Sequence, residues 1–268
     1  MGETPSDGRS VGAGLPSGSG WETISVYEAR LADCERVLGG DHPDTLSSRH
    51  NLAGAYRAVG RLAEAILLYR QTLACRERVL GGDHPDTLTS RNNLAGACCA
   101  AGRLAEAISL YKQTLTDRER VLGGDHPDTL TSRNNLAGAY RAAGRLAEAI
   151  LLYKQTLADR ERVLGGDHFD TLTSRNNLAG AYWLVERLDK AIPLFEVTLA
   201  DRERVLGGDH FDTLTSRNNL AGAYRAVGRL DEAIPLFKSA AADCERVLGG
   251  SHPTTRAVRE NLRLAQER

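Results

Sequence analysis

The string Gly-Gly-Asp-His recurs at a constant spacing of 42 residues, beginning at Gly39, Gly81, Gly123, Gly165 and Gly207. Self-similarity at such a period marks a stack of supersecondary units, none of which can bury its apolar faces alone. Five full copies run 39–80, 81–122, 123–164, 165–206 and 207–248. Trp21 to Leu38 matches the second half of a copy, and Gly249 to Arg268 matches the first half. The expected organisation is a leader over 1–20, a half repeat over 21–38, the five copies, and a C-terminal capping half repeat over 249–268. The leader is rich in Gly, Ser and Pro and reads as a disordered linker or tag.

Within the copy 123–164, two helical segments follow from the apolar spacing. The first runs from Pro127 to about Ala143, with Leu130, Leu136, Ala137 and Tyr140 on one face. Pro127 suits a first helical position, and Asp125 or His126 can cap the free amides before it. Asp128 meets the positive end of the helix dipole, and Gly144 permits a left-handed C-terminal residue. The second segment runs from about Leu146 to Leu164, roughly 28 Å long. Its expected inner face is Ala149, Ile150, Tyr153, Leu157 and Val163 or Leu164, and Gly165 and Gly166 are expected to stop it as Gly144 stops the first. With no alternating β-branched run, the fold class is all-α. At the ends, Ser19 and Glu22 form a capping-box pattern, and Arg263-Leu264-Ala265-Gln266 sets polar residues where a further helix would pack. Pro193 and Pro235 fall inside second helices and are expected to bend them slightly.

Lys plus Arg number 34 against 35 Asp plus Glu, which argues against a broad basic face for nucleic acid or anionic lipid. No stretch approaches the ~18 apolar residues of a membrane helix, and no secretory signal begins the chain. Five cysteines, an odd number, read as reduced thiols of a cytoplasmic protein.

Leu136-Ala137-x-x-Tyr140, then Gly144, Ala149 and Tyr153, resembles the tetratricopeptide-repeat pattern. The 42-residue period and the string Leu-Gly-x-Asp-His-Pro-x-Thr…Asn-Asn-Leu-Ala resemble the longer, kinesin-light-chain-like subclass, which in bacteria also forms the sensor region of signalling ATPases. The resemblance covers Trp21 to Arg268 and implies a right-handed alpha-alpha superhelix, a solenoid whose first helices line a concave groove for an extended peptide or a partner helix. This chain departs from the family at Arg133 and its equivalents, where many members carry a bulky apolar residue. It also has Phe169 and Phe211 in place of the Pro that follows His.

Two ladders are the candidate peptide contacts. Asn51, Asn93, Asn135, Asn177 and Asn219, with Asn261 beyond them, recur once in each first helix. An Asn amide offers donors and an acceptor that match a peptide group, and the resemblance places these side chains on the groove. Asn is a poor helix former, so its retention needs a reason; binding main chain and bridging neighbouring helices would each supply one. Arg49, Arg91, Arg133, Arg175 and Arg217, with Arg259, form the second ladder. Either it makes a basic stripe that selects an acidic peptide, helped by Arg57, Arg141 and Arg225, or each Arg pairs with a carboxylate of a neighbouring helix; the balanced net charge favours the second.

The recurring histidines, His42 to His252, sit too far apart on neighbouring helices, about 8–10 Å, to share a metal. They are expected at helix starts. The Asp159-Arg160-Glu161-Arg162 run and its copies read as solvated helix faces. No asymmetric nucleophile–base set exists, so neither catalysis nor a cofactor or metal is expected. The chief asymmetries are His50, Cys98-Cys99 and Trp183-Leu184-Val185-Glu186, the last removing the first-helix stop glycine; Trp183 could wall a pocket or simply pack locally. The expected function is a non-catalytic scaffold for a protein or peptide partner. Alternatives are a self-assembly module forming homo-oligomers, or the sensor region of a larger signalling ATPase.

Overall fold

A computed structural model describes residues 20–267, with side chains from residue 23 onward. The leader and the Ser19–Glu22 capping box lie outside the described residues. Among those residues every regular element is a helix, alternating between a shorter and a longer type. The described residues form two compact units that divide between Ala101 and Gly102.

The first unit contains α1 (Gly20–Leu38), α2 (Pro43–Ala58), α3 (Leu62–Leu80) and α4 (Pro85–Ala100). The second contains α5 (Leu104–Leu122), α6 (Pro127–Ala142), α7 (Leu146–Leu164), α8 (Phe169–Leu184), α9 (Leu188–Leu206), α10 (Phe211–Ala226), α11 (Leu230–Leu248) and α12 (Pro253–Gln266). Within each unit consecutive helices pack against one another, α1 on α2 through α4, and α5 on α6 through α12. Each unit is thus a stack of helix hairpins of the expected repeat type.

Local chemistry sets the helix ends. Every first helix begins with a histidine N-cap whose Nδ1 accepts from the amide two residues on, as His126 does from Asp128 N at 3.2 Å. His42, His84, His168, His210 and His252 repeat this bond. Of the two possible caps, histidine is the one used; Asp125 instead forms an ion pair with Arg162 on α7. Phe169 and Phe211 start α8 and α10 as well as Pro starts the others, because the cap is supplied by the residue before them. Gly144 ends the first hairpin arm at φ 73°. Gly165 stops α7 differently from expectation, at φ 86° and ψ 163°, a region open essentially to glycine alone.

Apolar spacing placed the core well except at the second-helix C-terminus. Leu130, Leu136, Ala137, Tyr140, Ala149, Tyr153 and Leu157 are buried, whereas Val163 is exposed and Ile150 and Leu164 are half-buried. Val163 stands ten residues beyond Tyr153, about 280° around the axis, and so turns to the flank. Arg160, seven residues beyond Tyr153, keeps to the inner face instead. It is only 2% exposed, which corrects the reading of this run as fully solvated. Its Nη1 donates to Asp170 O at 2.9 Å and Ser174 Oγ at 2.8 Å, joining α7 to α8. Arg76, Arg118 and Arg202 make the same pair of bonds. Burial pulls the pKa of these guanidiniums down, while the nearby carboxylates of Asp86, Asp128, Asp170 and Asp212 pull it back. At the last junction both partners change together: Cys244 and Val258 replace Arg and Ser, and the polar clamp becomes an apolar cluster with Leu214, Ala240 and Ala241.

α12 carries its polar residues outward: Arg263 and Gln266 are exposed and Ala265 is buried. α9 and α11 continue through Pro193 and Pro235.

Candidate functional site

The Asn ladder lies between first helices and remains part-exposed. Asn177 Nδ2 donates to Asn134 Oδ1 at 3.2 Å, Asn219 to Asn176 at 3.4 Å, and Asn261 to Asn218 at 3.1 Å. In the first unit the acceptor is replaced, and Asn93 Nδ2 meets His50 Nε2 at 2.9 Å. Asn51, at the start of the ladder, is exposed. Asn135 is half-buried on α6. The ladder therefore does bridge helices, yet each bridge of α8, α10 and α12 uses one N–H of an amide that also owns a second N–H and a carbonyl oxygen. Asn134, Asn176 and Asn218, the acceptors, were missed from the sequence, although the repeated Asn-Asn pair announces them as neighbours of the ladder.

The Arg ladder does not run beside it. Two residues along a helix are separated by about 200°, so Arg133 and Asn135 leave α6 on different sides. Arg133 pairs with Glu119 on α5 at 3.1 Å and Asp159 on α7 at 2.5 Å. Arg175 pairs with Glu161 and Asp201, and Arg217 with Glu203 and Asp243. Arg49 holds Glu35, Arg91 holds Glu77, and Arg259 holds Glu245. Of the two readings left open for this ladder, the structure shows the pairing with neighbouring carboxylates. The alternative, a basic stripe open to a peptide, is not what these residues form, because their charges are spent tying second helices to first ones. Arg57, Arg141 and Arg225, also on first helices, have no carboxylate partner among the described residues.

First-helix residues also line a hollow of about 230 Å³, where Arg141, Asn176, Gly180, Trp183 and Asn219 meet Phe195 of α9. Trp183 stands edge-on to Phe195 with ring centroids 6.0 Å apart. The departure that removes a stop glycine here leaves the fold intact: α8 still ends at Leu184, and Glu186 takes the positive φ, 58°, that glycine takes elsewhere. His50 is largely buried, its ring edge-on to Tyr69 at 5.2 Å. Burial, reinforced by the charge of Arg76, lowers its pKa to about 4. All five cysteines are free thiols.

Tetratricopeptide-repeat family profiles match residues 45–86, 68–119, 86–162, 152–204, 170–242 and 212–266, spanning most of the chain. This chain belongs to the tetratricopeptide-repeat family. The nearly identical TPR-like repeats of a Podosopora anserina protein described as a kinesin light chain are 34% identical, with a TM-score of 0.65, covering 76% of this chain and 97% of that one. BtubC (BKLC) from P. vanneervenii shares 22% identity at a TM-score of 0.72, covering 88% of this chain and 94% of that one. RapI in its apo form is 10% identical with a TM-score of 0.63, covering 93% and 92%, and so shares the fold alone. No curated protein matches this tetratricopeptide-repeat chain. Tetratricopeptide-repeat proteins are generally protein-interaction scaffolds, typically non-catalytic. No helix among the described residues is long and apolar enough to cross a membrane.

Proposed function

We propose that this tetratricopeptide-repeat protein is a non-catalytic scaffold that binds an extended polypeptide along the exposed face of its first helices, working in the reducing cytoplasm. The observation that carries this reading is the open hollow over α6, α8 and α10, where the amides of Asn176 and Asn219 stand at the surface beside Gly180. Beyond its bond to Asn176, the Asn219 amide keeps a second N–H and a carbonyl oxygen, groups that suit main chain, which presents their partners at a regular rise. The guanidiniums of Arg57, Arg141 and Arg225 lean the preference toward acidic segments, in place of the paired ladder. A protein of the same fold, a Rap protein 13% identical to this chain with a TM-score of 0.58, was solved in complex with Competence and Sporulation Factor.

Selection from a displayed library of twelve-residue peptides tests the reading. Peptides that bind the parent chain are expected to bind the Asn177→Ala, Asn219→Ala double variant about tenfold more weakly, the loss of one or two hydrogen bonds. N-methylation of their backbone amides is expected to weaken them similarly. Equal binding to parent and variant, with no effect of N-methylation, overturns it.

A further inference from the structure

One first-helix position in this chain breaks the repeat where the breaking matters to a bound chain. It is occupied by Arg57, Cys99, Arg141, Trp183 and Arg225 in successive copies. In the second unit the side chain at this position reaches across to a glycine of the next first helix. Arg141 Nη1 lies 3.7 Å from where a Cβ on Gly180 would stand, an ordinary contact. Trp183 Cη2 lies only 2.5 Å from where a Cβ on Gly222 would stand, so the indole is seated in space that only glycine leaves open. Phe195 backs the ring from below.

The seated indole divides two hollows. On one side is the 230 Å³ hollow bounded by Arg141; on the other, a hollow of about 460 Å³ with Gly222, Arg225, Ala226 and Leu264 in its wall. Neither Arg141 nor Arg225 has a carboxylate partner among the described residues, in contrast to Arg133, Arg175 and Arg217. An apolar wall beside an uncompensated guanidinium complements an apolar side chain beside a carboxylate.

Near-identical copies also pose a problem that this position resolves. A polypeptide held only by the Asn amides meets the same contacts at each step of one repeat, so several registers have nearly equal free energy. A residue that differs in one copy lifts that degeneracy. We infer that Trp183 sets the register of the bound polypeptide: it receives one bulky apolar side chain in the adjoining hollow, with a neighbouring carboxylate of the same segment on Arg141. This rests on the proposal that the first-helix face binds polypeptide, and names the side-chain chemistry and the place.

The test uses the full chain with Trp21→Phe, which leaves Trp183 the sole indole. The probe is a twelve-residue Gly-Ser peptide with one central phenylalanine beside two aspartates. Binding is followed by Trp183 emission and by calorimetry. The probe is expected to shift the emission, and to bind about tenfold more weakly when its phenylalanine becomes serine or its aspartates become lysines. In calorimetry, Trp183→Arg, which restores the residue found in the copies before and after, is expected to weaken the probe by the same factor. Gly222→Ala, which pushes the indole away without removing it, is expected to do likewise, and Arg141→Gln to flatten the dependence of affinity on salt. Thermal unfolding of each variant reports that the repeats remain folded. Undiminished affinity for the Trp183→Arg chain overturns the inference while leaving main-chain binding to be judged by the Asn177, Asn219 variant on the same probe. Failure of the probe to bind the parent chain overturns it too, and the library selection then decides separately whether the face binds polypeptide at all.

Discussion

His50 shows how one substitution inside a repeat changes the response of the whole chain to acid. Its ring takes the acceptor place held by Asn134, Asn176 and Asn218 in other copies and is held neutral by burial. The pKa of about 4 lies below the ordinary value of 6.5, so the unfolded chain binds a proton that the folded chain refuses between those values. The stability contributed by the neutral ring is complete above pH 6.5 and is lost as pH falls toward 4, by up to roughly 3 kcal/mol at 1.36 kcal/mol per pKa step. Thermal melts of the parent and of His50→Asn at pH 7 and pH 4.5 check this. The parent is expected to lose more stability than the variant on acidification, and parallel losses would contradict the assignment. A second residue-scale contrast concerns the helix stops. Glu186 holds a left-handed backbone, which costs a side-chain residue ~1 kcal/mol, so Glu186→Gly should stabilise by about that amount. Gly165, with its extended ψ, has no comparable side-chain substitute. Gly165→Ala is expected to destabilise by more than Gly144→Ala, as read from denaturant midpoints.

At the scale of the element, the second helices α3, α5, α7 and α9 are held to the following first helices by a buried cation. Arg160→Ala would leave Ser174 Oγ and Asp170 O without their donor and open a cavity, at a cost of roughly 2–4 kcal/mol. The chain itself supplies the remedy, since the side chains of Cys244 and Val258 fill the same two positions by apolar packing. The double variant Arg160→Cys, Ser174→Val is therefore expected to recover a large part of the loss, as replacement of buried polar pairs by apolar ones often does. A denaturant double-mutant cycle measures it; strict additivity of the two single losses would show that the positions are not coupled. The surface pairs of Arg162 with Asp125, Arg204 with Asp167 and Arg246 with Asp209 are exposed, and contribute little beside this clamp.

At the scale of the molecule, stability is a sum over copies and the interfaces between them. Removing residues 165–206 joins Leu164 to Gly207, the same Leu-Gly junction that every copy has. The shortened chain is expected to keep its helical content per residue by circular dichroism. It should unfold at lower denaturant with a smaller slope, because one copy and its interface surface are gone. It also lacks Trp183, so the apolar–acidic probe should bind it no better than the Trp183→Arg chain. Loss of the helical signal would show that the copies are not interchangeable.

The period, the two helices per copy, their caps and most of the core were legible in the sequence, because each is set by residues within about one turn of one another. Pro127, His126, Leu130 and Gly144 act through local backbone geometry, and local geometry repeats with the string. What one helix does to its neighbour was not legible. Arg133 and Asn135 look like adjacent ladders when written in a line, yet they lie about 200° apart around α6, and Arg133 turns to Glu119 and Asp159. Arg160 reads as one charge among several, and only packing against α8 shows it buried on Ser174. Trp183 reads as a departure of unknown worth until Gly222 is found beneath its ring. The sequence alone determined the hairpin and its repetition, through short-range sterics and hydrogen bonding. The tertiary structure decided which charges are spent inside the stack and which stay open to a partner, because that depends on distances between helices that no single copy contains.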